Sequence, residues 1–263
     1  KTRLIDEPLR EREIVNEIPS FSSIENEVSL NVRAQYEASP YPRWVNAQMN
    51  SNCASPEQLF SDLKLKMDYS ALKKRPLKQV LIAGCGTGQQ PLETAAGHYR
   101  DLEVTALDLS KSSLAYAIRS SNRFDISNVK FFHGDILNLA SLGMVFDIVE
   151  SCGVLHHMQE PAIGWKILAN HLRPGGMIKI SLYSSIAREE ITSIKEEIAH
   201  LKLRSDVDSM KKFRKNIIDR GKDNVRFVQD FFSLSMFRDL LFHEHEHLFN
   251  IDSIRKQIDY LGL

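Results

Sequence analysis

Gly84, Gly86 and Gly88 follow the apolar run Val80-Leu81-Ile82-Ala83, and Asp108 closes a second apolar run about twenty residues later. Glycines placed directly after a buried strand let the backbone approach a ligand where any Cβ would stand in the way. A carboxylate at the end of the neighbouring strand can accept hydrogen bonds from both hydroxyls of a ribose. Together they are the chemistry of nucleoside binding. Spacing narrows the choice further. A dinucleotide loop needs G-x-G-x-x-G, and position 89 is Gln, which leaves G-x-G-x-G.

Two histidine groups could also do chemistry. His156 and His157 follow a fourth apolar run, where an imidazole with a pKa near neutrality would serve as a general base. The sequence does not separate the two, and packing of the loop onto the sheet explains one of them equally well. His243, His245 and His247 alternate with Glu244 and Glu246. In an extended segment the three imidazoles would share one face, which suits a metal ion. Ligands so close in sequence tend to splay, and no cysteine or second carboxylate cluster accompanies them. A solvated or substrate-facing strand is therefore the expectation, with no metal assigned.

These residues need a frame. Strands are predicted at about 79–83, 102–107, 128–132, 145–150 and 176–183, with helices near 89–98, 111–121 and 161–171. The alternation predicts a doubly wound, mostly parallel α/β sheet covered on both faces. Ser110 is placed to cap the second of these helices, and Pro174-Gly175-Gly176 to break the chain before the fifth strand. Residues 1–70 read as an N-terminal helical arm. Pro19 ends any helix before it, Pro40 and Pro42 bar regular helix from 33–44, and Ser55-Pro56-Glu57 opens a helix carrying Leu59, Phe60, Leu63 and Met67. Residues 71–183 form the core. Residues 184–263 form a charged helical lid insertion and a last helix closing on Gly262. The basic stretch Lys211–Arg226 is diluted by Asp219 and Asp223 and reads as a solvated helix face, so nucleic acid is not favoured.

The run from Val80 to Gly88 resembles the first motif of the class I S-adenosylmethionine-dependent methyltransferases. Residues 128–135 (NVKFFHGD), 145–158 (VFDIVESCGVLHHM) and 172–183 (LRPGGMIKISLY) resemble that family's third strand, its fourth strand with the covering loop, and its fifth strand. The resemblance spans about 77–183. It implies a Rossmann-like fold, S-adenosyl-L-methionine as cofactor, and methyl transfer to an O or N atom of a small-molecule or protein acceptor. A transfer-RNA modifier and a non-catalytic cofactor-binding module are the alternatives. Under the resemblance, Gly84, Cys85, Gly86, Thr87, Gly88 and Gln89 approach the methionine end, and Asp108 with Leu109 holds the ribose. Asp135 with Ile136 takes the adenine, unless Asp135 only caps its turn. Ser151 and Cys152 line the methionine arm, and Tyr183 joins His156 and His157 as a catalytic candidate. Ile82 stands where the family often carries Asp or Glu.

QYEASPYPRW resembles a segment preceding the methyltransferase domain of bacterial tetratricopeptide-repeat proteins, and RDLLFH (Arg238–His243) one in their C-terminal part. That resemblance implies a piece of a longer protein tethered to a repeat array; the lack of sequence after Leu263 for the family's last two strands implies either such a piece or a replacement for those strands. Tyr36, Tyr41, Arg43, Trp44, His243 and His245 are the acceptor-side candidates. Aromatic rings near a sulfonium add cation–π attraction; alternatively Trp44 and the tyrosines pin the arm to the domain. The formal net charge is +0, so no overall field attracts nucleic acid or an anionic membrane. Cys53, Cys85 and Cys152 are odd in number and scattered, which argues for a reducing, cytoplasmic setting. No run has the apolar length of a membrane span.

Overall fold

Five runs of aliphatic and aromatic residues pair into one sheet: β1 (Gln79–Ala83), β2 (Glu103–Asp108), β3 (Val129–His133), β4 (Phe146–Cys152) and β5 (Leu172–Ser181). The computed structural model describes residues 1–46, 64, 77–98, 102–221, 223–243 and 245–263. Strand order is β3-β2-β1-β4-β5 and every pairing is parallel. The sheet is therefore all-parallel among the described residues, and the fold is Rossmann-like. Alternate side chains of β1 enter opposite layers, Val80 and Ile82 one apolar core, Leu81 and Ala83 the other. The sheet grows in both directions from β1, so β2 and β4 leave it on opposite sides. A crevice opens at the carboxyl ends of the strands where such a reversal occurs.

Helices α1 (Glu7–Ile14) and α2 (Glu27–Ala38) form the arm. α3 (Gln89–Glu93), α4 (Lys111–Arg123) and α5 (Pro161–Asn170) connect the strands. Ser110 caps α4 by accepting from the Ser113 N–H at 3.0 Å. The arm is bound into the domain. Arg119 of α4 pairs with Glu11 at 2.7 Å, and the His133 N–H on the outer strand donates to the Pro19 carbonyl at 2.9 Å. The helix opening at Ser55 lies outside the described residues.

Two boundaries differ from the sequence reading by more than two residues. α2 covers 33–38, because Pro40 restricts only the residue before it. Ser39 leaves the helix at φ −148, ψ 76, and the residues upstream of it, 33–38, are free to stay helical. β5 begins at Leu172 rather than after the Pro-Gly-Gly turn. Phe146 pairs with Leu172 and Ile148 with Met177, so Pro174–Gly176 bulge out of the ladder. The bulge is held by Arg173, whose guanidinium lies 3.1 Å from the buried Asp147 carboxylate, which also accepts from the Lys78 and Gln79 N–H groups.

The insertion after β5 packs α6 (Glu189–His200), α7 (Val207–Arg220) and α8 (Leu234–Phe242) around a core of their own that includes Ile194, Phe213, Ile217 and Phe237. A bridge between Ser184 and Phe249 returns the chain to the sheet, and α9 (Ile251–Leu261) packs its Ile254 and Ile258 against the second core. No helix among the described residues is long and apolar enough to cross a membrane.

Trp44 joins the arm to the first core. It is 8% exposed, stacks on Phe124, meets Tyr116 edge-on, and donates its indole N–H to the Thr87 carbonyl at 3.2 Å. Trp44→Ala should lower unfolding free energy by about 3–5 kcal/mol in urea titration. A loss under about 1 kcal/mol would show the arm to be dispensable.

Candidate active site

A cavity of ≈ 660 Å³ occupies the crevice. Its floor is the glycine loop and the ends of β1, β2 and β4; α2 and the lid helices form the walls. Gly84, Cys85, Gly86, Gln89, Asp108, Leu109, Asp135, Ile136 and Cys152 all line it. Gly86 has φ +52, and a Cβ there would lie 2.7 Å from the Tyr41 carbonyl oxygen, so only glycine lets the arm close over the loop.

Asp108 ties the loop to the second strand. One carboxylate oxygen accepts from the Gly86 N–H at 2.8 Å and the other from the Ser110 N–H at 2.9 Å. Burial pushes its carboxyl up to about 6 despite these hydrogen bonds. Asp135 serves two readings at once. Its Oδ1 caps the turn by accepting from the Leu137 N–H at 2.9 Å, while its buried Oδ2 has no partner. Asp135 belongs to the cavity wall, and a buried acceptor without a partner there asks for a donor.

Three of the expected cofactor residues do not reach the cavity. The Thr87 hydroxyl donates to the Pro42 carbonyl, the Ser151 hydroxyl to the Ala83 carbonyl at 3.0 Å, and Gly88 packs on Ala117 of α4. Each is spent on holding the loop, the arm or the strand end.

The histidines also differ from expectation. His156 is fully buried behind the cavity wall, with the Tyr183 ring 3.7 Å and the His157 ring 4.2 Å from its own. Neither of its nitrogens has a partner. His157 does line the cavity. Its Nδ1–H donates to the His245 carbonyl at 2.8 Å, which leaves Nε2 without a proton. Burial holds His157 down at about 4, and burial with the neighbouring His157 and Arg188 charges holds His156 far lower. Neither is a base poised at neutral pH. Tyr183 lines the cavity, but the Arg188 guanidinium lies 3.7 Å from its ring centroid and His156 stacks on it too.

On the acceptor side, Tyr36 and Tyr41 line the cavity, whereas Arg43 is exposed and Trp44 is buried in the first core. Tyr36 donates to Asp239 at 2.7 Å, and Tyr41 donates to Asp230 at 3.3 Å. His243, His245 and His247 do not share a face. His243 turns inward at the end of α8 and stacks on His157, while His245 and His247 pair with each other at 2.9 Å. Asp230, Asp239 and Arg188 escaped the sequence reading. Asp239 carried a signal, because it lies four residues before His243 and so shares its helical face.

His157, Asp239 and His243 offer ligand atoms within 4.8 Å of one another, yet their geometry does not suit a metal. The two imidazole planes are 17° from parallel with centroids 3.6 Å apart, so their in-plane lone pairs cannot meet at one point. His243 Nδ1 accepts from the His245 N–H at 3.2 Å, which places its proton on Nε2, 3.3 Å from the Tyr36 oxygen. In the basic stretch, Lys215 pairs with Asp219 and Arg220 with Glu197 and Asp223.

Residues 80–176 match a family model described as a methyltransferase domain. The chain is 30% identical over 196 residues to an uncharacterized protein of Synechococcus sp., covering 70% of this chain and 47% of that one. It is 33% identical over 116 residues to trans-aconitate 2-methyltransferase of Deinococcus radiodurans, covering 44% and 42%. PKMT2 from Rickettsia typhi, solved in complex with AdoHcy, superposes with a TM-score of 0.54 at 18% identity, over 70% of this chain and 39% of that one. The chain spans less than half the length of these curated relatives. It has the fold of a Rossmann-like methyltransferase, and its core is similar in sequence to a methyltransferase domain.

The buried imidazoles give a direct check. The His156 and His157 ring resonances should stay at neutral-form shifts in NMR titration from pH 8 down to about 5. An inflection between pH 6 and 7 at His157 would restore it as a near-neutral base.

Proposed function

We propose that the chain is an S-adenosylmethionine-dependent methyltransferase acting on an O or N atom of a small-molecule or protein acceptor. The observation that carries this reading is the pair of acids at the switch-point crevice, Asp108 at the end of β2 and Asp135 with its unpartnered Oδ2. They fit an adenosine. Asp108 would accept from the ribose hydroxyls and Asp135 Oδ2 from the adenine amine, with Leu109 and Ile136 against the ring. When bound, the cofactor supplies a methyl group on a sulfonium whose leaving group departs neutral. The chain's residues then have to hold the nucleoside, exclude water and line up the acceptor.

Ile82 brings no acid to the methionine end and is wholly buried. Glu150 lies beside it in register, is 2% exposed, and takes the amide of Gln90, a residue that does line the cavity. Gln90 is thereby presented to the methionine arm with Cys152. The lid and arm close the far end, which supports an acceptor small enough, or a side chain long enough, to enter ≈ 660 Å³ with the cofactor in place.

Asp108→Ala should weaken S-adenosylhomocysteine binding by about 10–100-fold in calorimetry, the worth of a charge-assisted hydrogen-bond pair. Unchanged affinity, with the fold intact by circular dichroism, would remove the ribose assignment. The native chain should bind more weakly at pH 5 than at pH 7. The Asp108 carboxyl, raised to about 6, is mostly neutral at the lower pH and ionised at the higher. A flat profile would show that its charge plays no part.

A further inference from the structure

We infer that the acceptor end of the cavity takes an amine as its ammonium cation, held between the carboxylates of Asp230 and Asp239 and against the rings of Tyr36 and Tyr41. The binding claim stands on the wall itself; that the amine is then methylated rests on the proposed function.

The argument is a balance of charge. Among the described residues, Arg188 is the one lysine or arginine that lines the cavity, and it shares the Glu246 carboxylate with Lys195. Arg188 meets it through two nitrogens at 2.7 and 3.2 Å, and Lys195 at 2.7 Å. Among the described residues, Asp230 and Asp239 form no ion pair, and the hydrogen bonds they receive come from the Tyr41 and Tyr36 hydroxyls. Two cations thus face three carboxylates, and His156, His157 and His243 are all neutral. One carboxylate is left over. Asp239 is 4% exposed, where an uncompensated charge is costly. A monocation entering the cavity would restore neutrality.

The wall also discriminates among cations and acceptors. A carboxylate or phosphate acceptor would meet two fixed negative groups. A metal ion would need imidazole lone pairs that converge, and those of His157 and His243 do not. An organic ammonium needs carboxylates and aromatic faces at no fixed coordination angle, and both are present. The cavity already shows one such contact, the Arg188 guanidinium over Tyr183. Transfer would require the ammonium proton to pass to the Asp239 carboxylate. The freed nitrogen pair then forms the N–C bond as the C–S pair stays on sulfur.

The test is calorimetry on the chain with and without saturating S-adenosylhomocysteine. The probes are two ammonium ions, choline and butylammonium, and their neutral counterparts, 3,3-dimethylbutan-1-ol and 1-butanol. At least one ammonium should bind about tenfold or more tighter than its counterpart, a preference of the size desolvated cation–π and charge contacts produce. Asp239→Asn and Asp230→Asn should each reduce that preference at least about fivefold, with S-adenosylhomocysteine affinity within about twofold of native. The inference is overturned if the alcohols bind as well as the ammonium ions or if no ammonium binds. It is also overturned if Zn²⁺ or Mn²⁺ binds at one equivalent and displaces choline. If the ammonium binds but S-adenosylhomocysteine does not, the methyltransferase reading falls and the ammonium site stands.

Discussion

The two hydrogen bonds that Asp108 accepts from Gly86 and Ser110 organise the site. A buried carboxylate needs its lone pairs satisfied, and here the donors come from the glycine loop after β1 and from the start of α4. The same interaction therefore sets the width of the crevice and the position of α4. Glu37 of α2 then accepts from the next two amides of α4, Lys111 and Ser112. Because Tyr36 precedes Glu37, docking α2 on α4 also sets the tyrosine on the cavity wall. Trp44 and Thr87 close the chain of contacts by clamping the arm to the glycine loop. Loop, strand, helix and arm are thus one mechanical unit.

The two ends of the cavity are built on different principles. The end at the glycine loop is made of backbone and two carboxylates, Asp108 closing β2 and Asp135 just beyond β3. The opposite end is assembled from the arm and the lid, elements far apart in the chain: Tyr36 meets Asp239 across 203 positions, and Tyr41 meets Asp230 across 189. The lid can supply such groups because it has its own apolar core, so that Asp230 and Asp239 can face inward. The imidazoles contribute packing more than proton transfer. His156, stacked on Tyr183 with no hydrogen bond to its ring nitrogens, lies behind the wall that Tyr183 and His157 present.

Much of this frame was legible in the residues. The five strands, their alternation with helices, the cap at Ser110 and the glycine loop all follow from local periodicity and turn chemistry. The errors have equally local causes. Proline limits the residue before it, so α2 outran the boundary set at residue 33. The Pro-Gly-Gly turn became a bulge inside β5 because the Asp147 carboxylate and Arg173 lock it against the ladder. Thr87, Gly88 and Ser151 fall inside the right motif yet face the protein, since a motif specifies a segment and not the side on which each residue points.

The sequence by itself determined the parallel sheet, the order of its motifs and the two acids that sit at strand ends, because strand register and glycine spacing are properties of adjacent residues. Only the tertiary structure decided which groups share the cavity, which histidines lose their basicity and which carboxylates go without a counter-ion. Those outcomes depend on burial and on distances between segments remote in the chain. Solvation and Coulomb energies act through space, and no run of neighbouring residues records them.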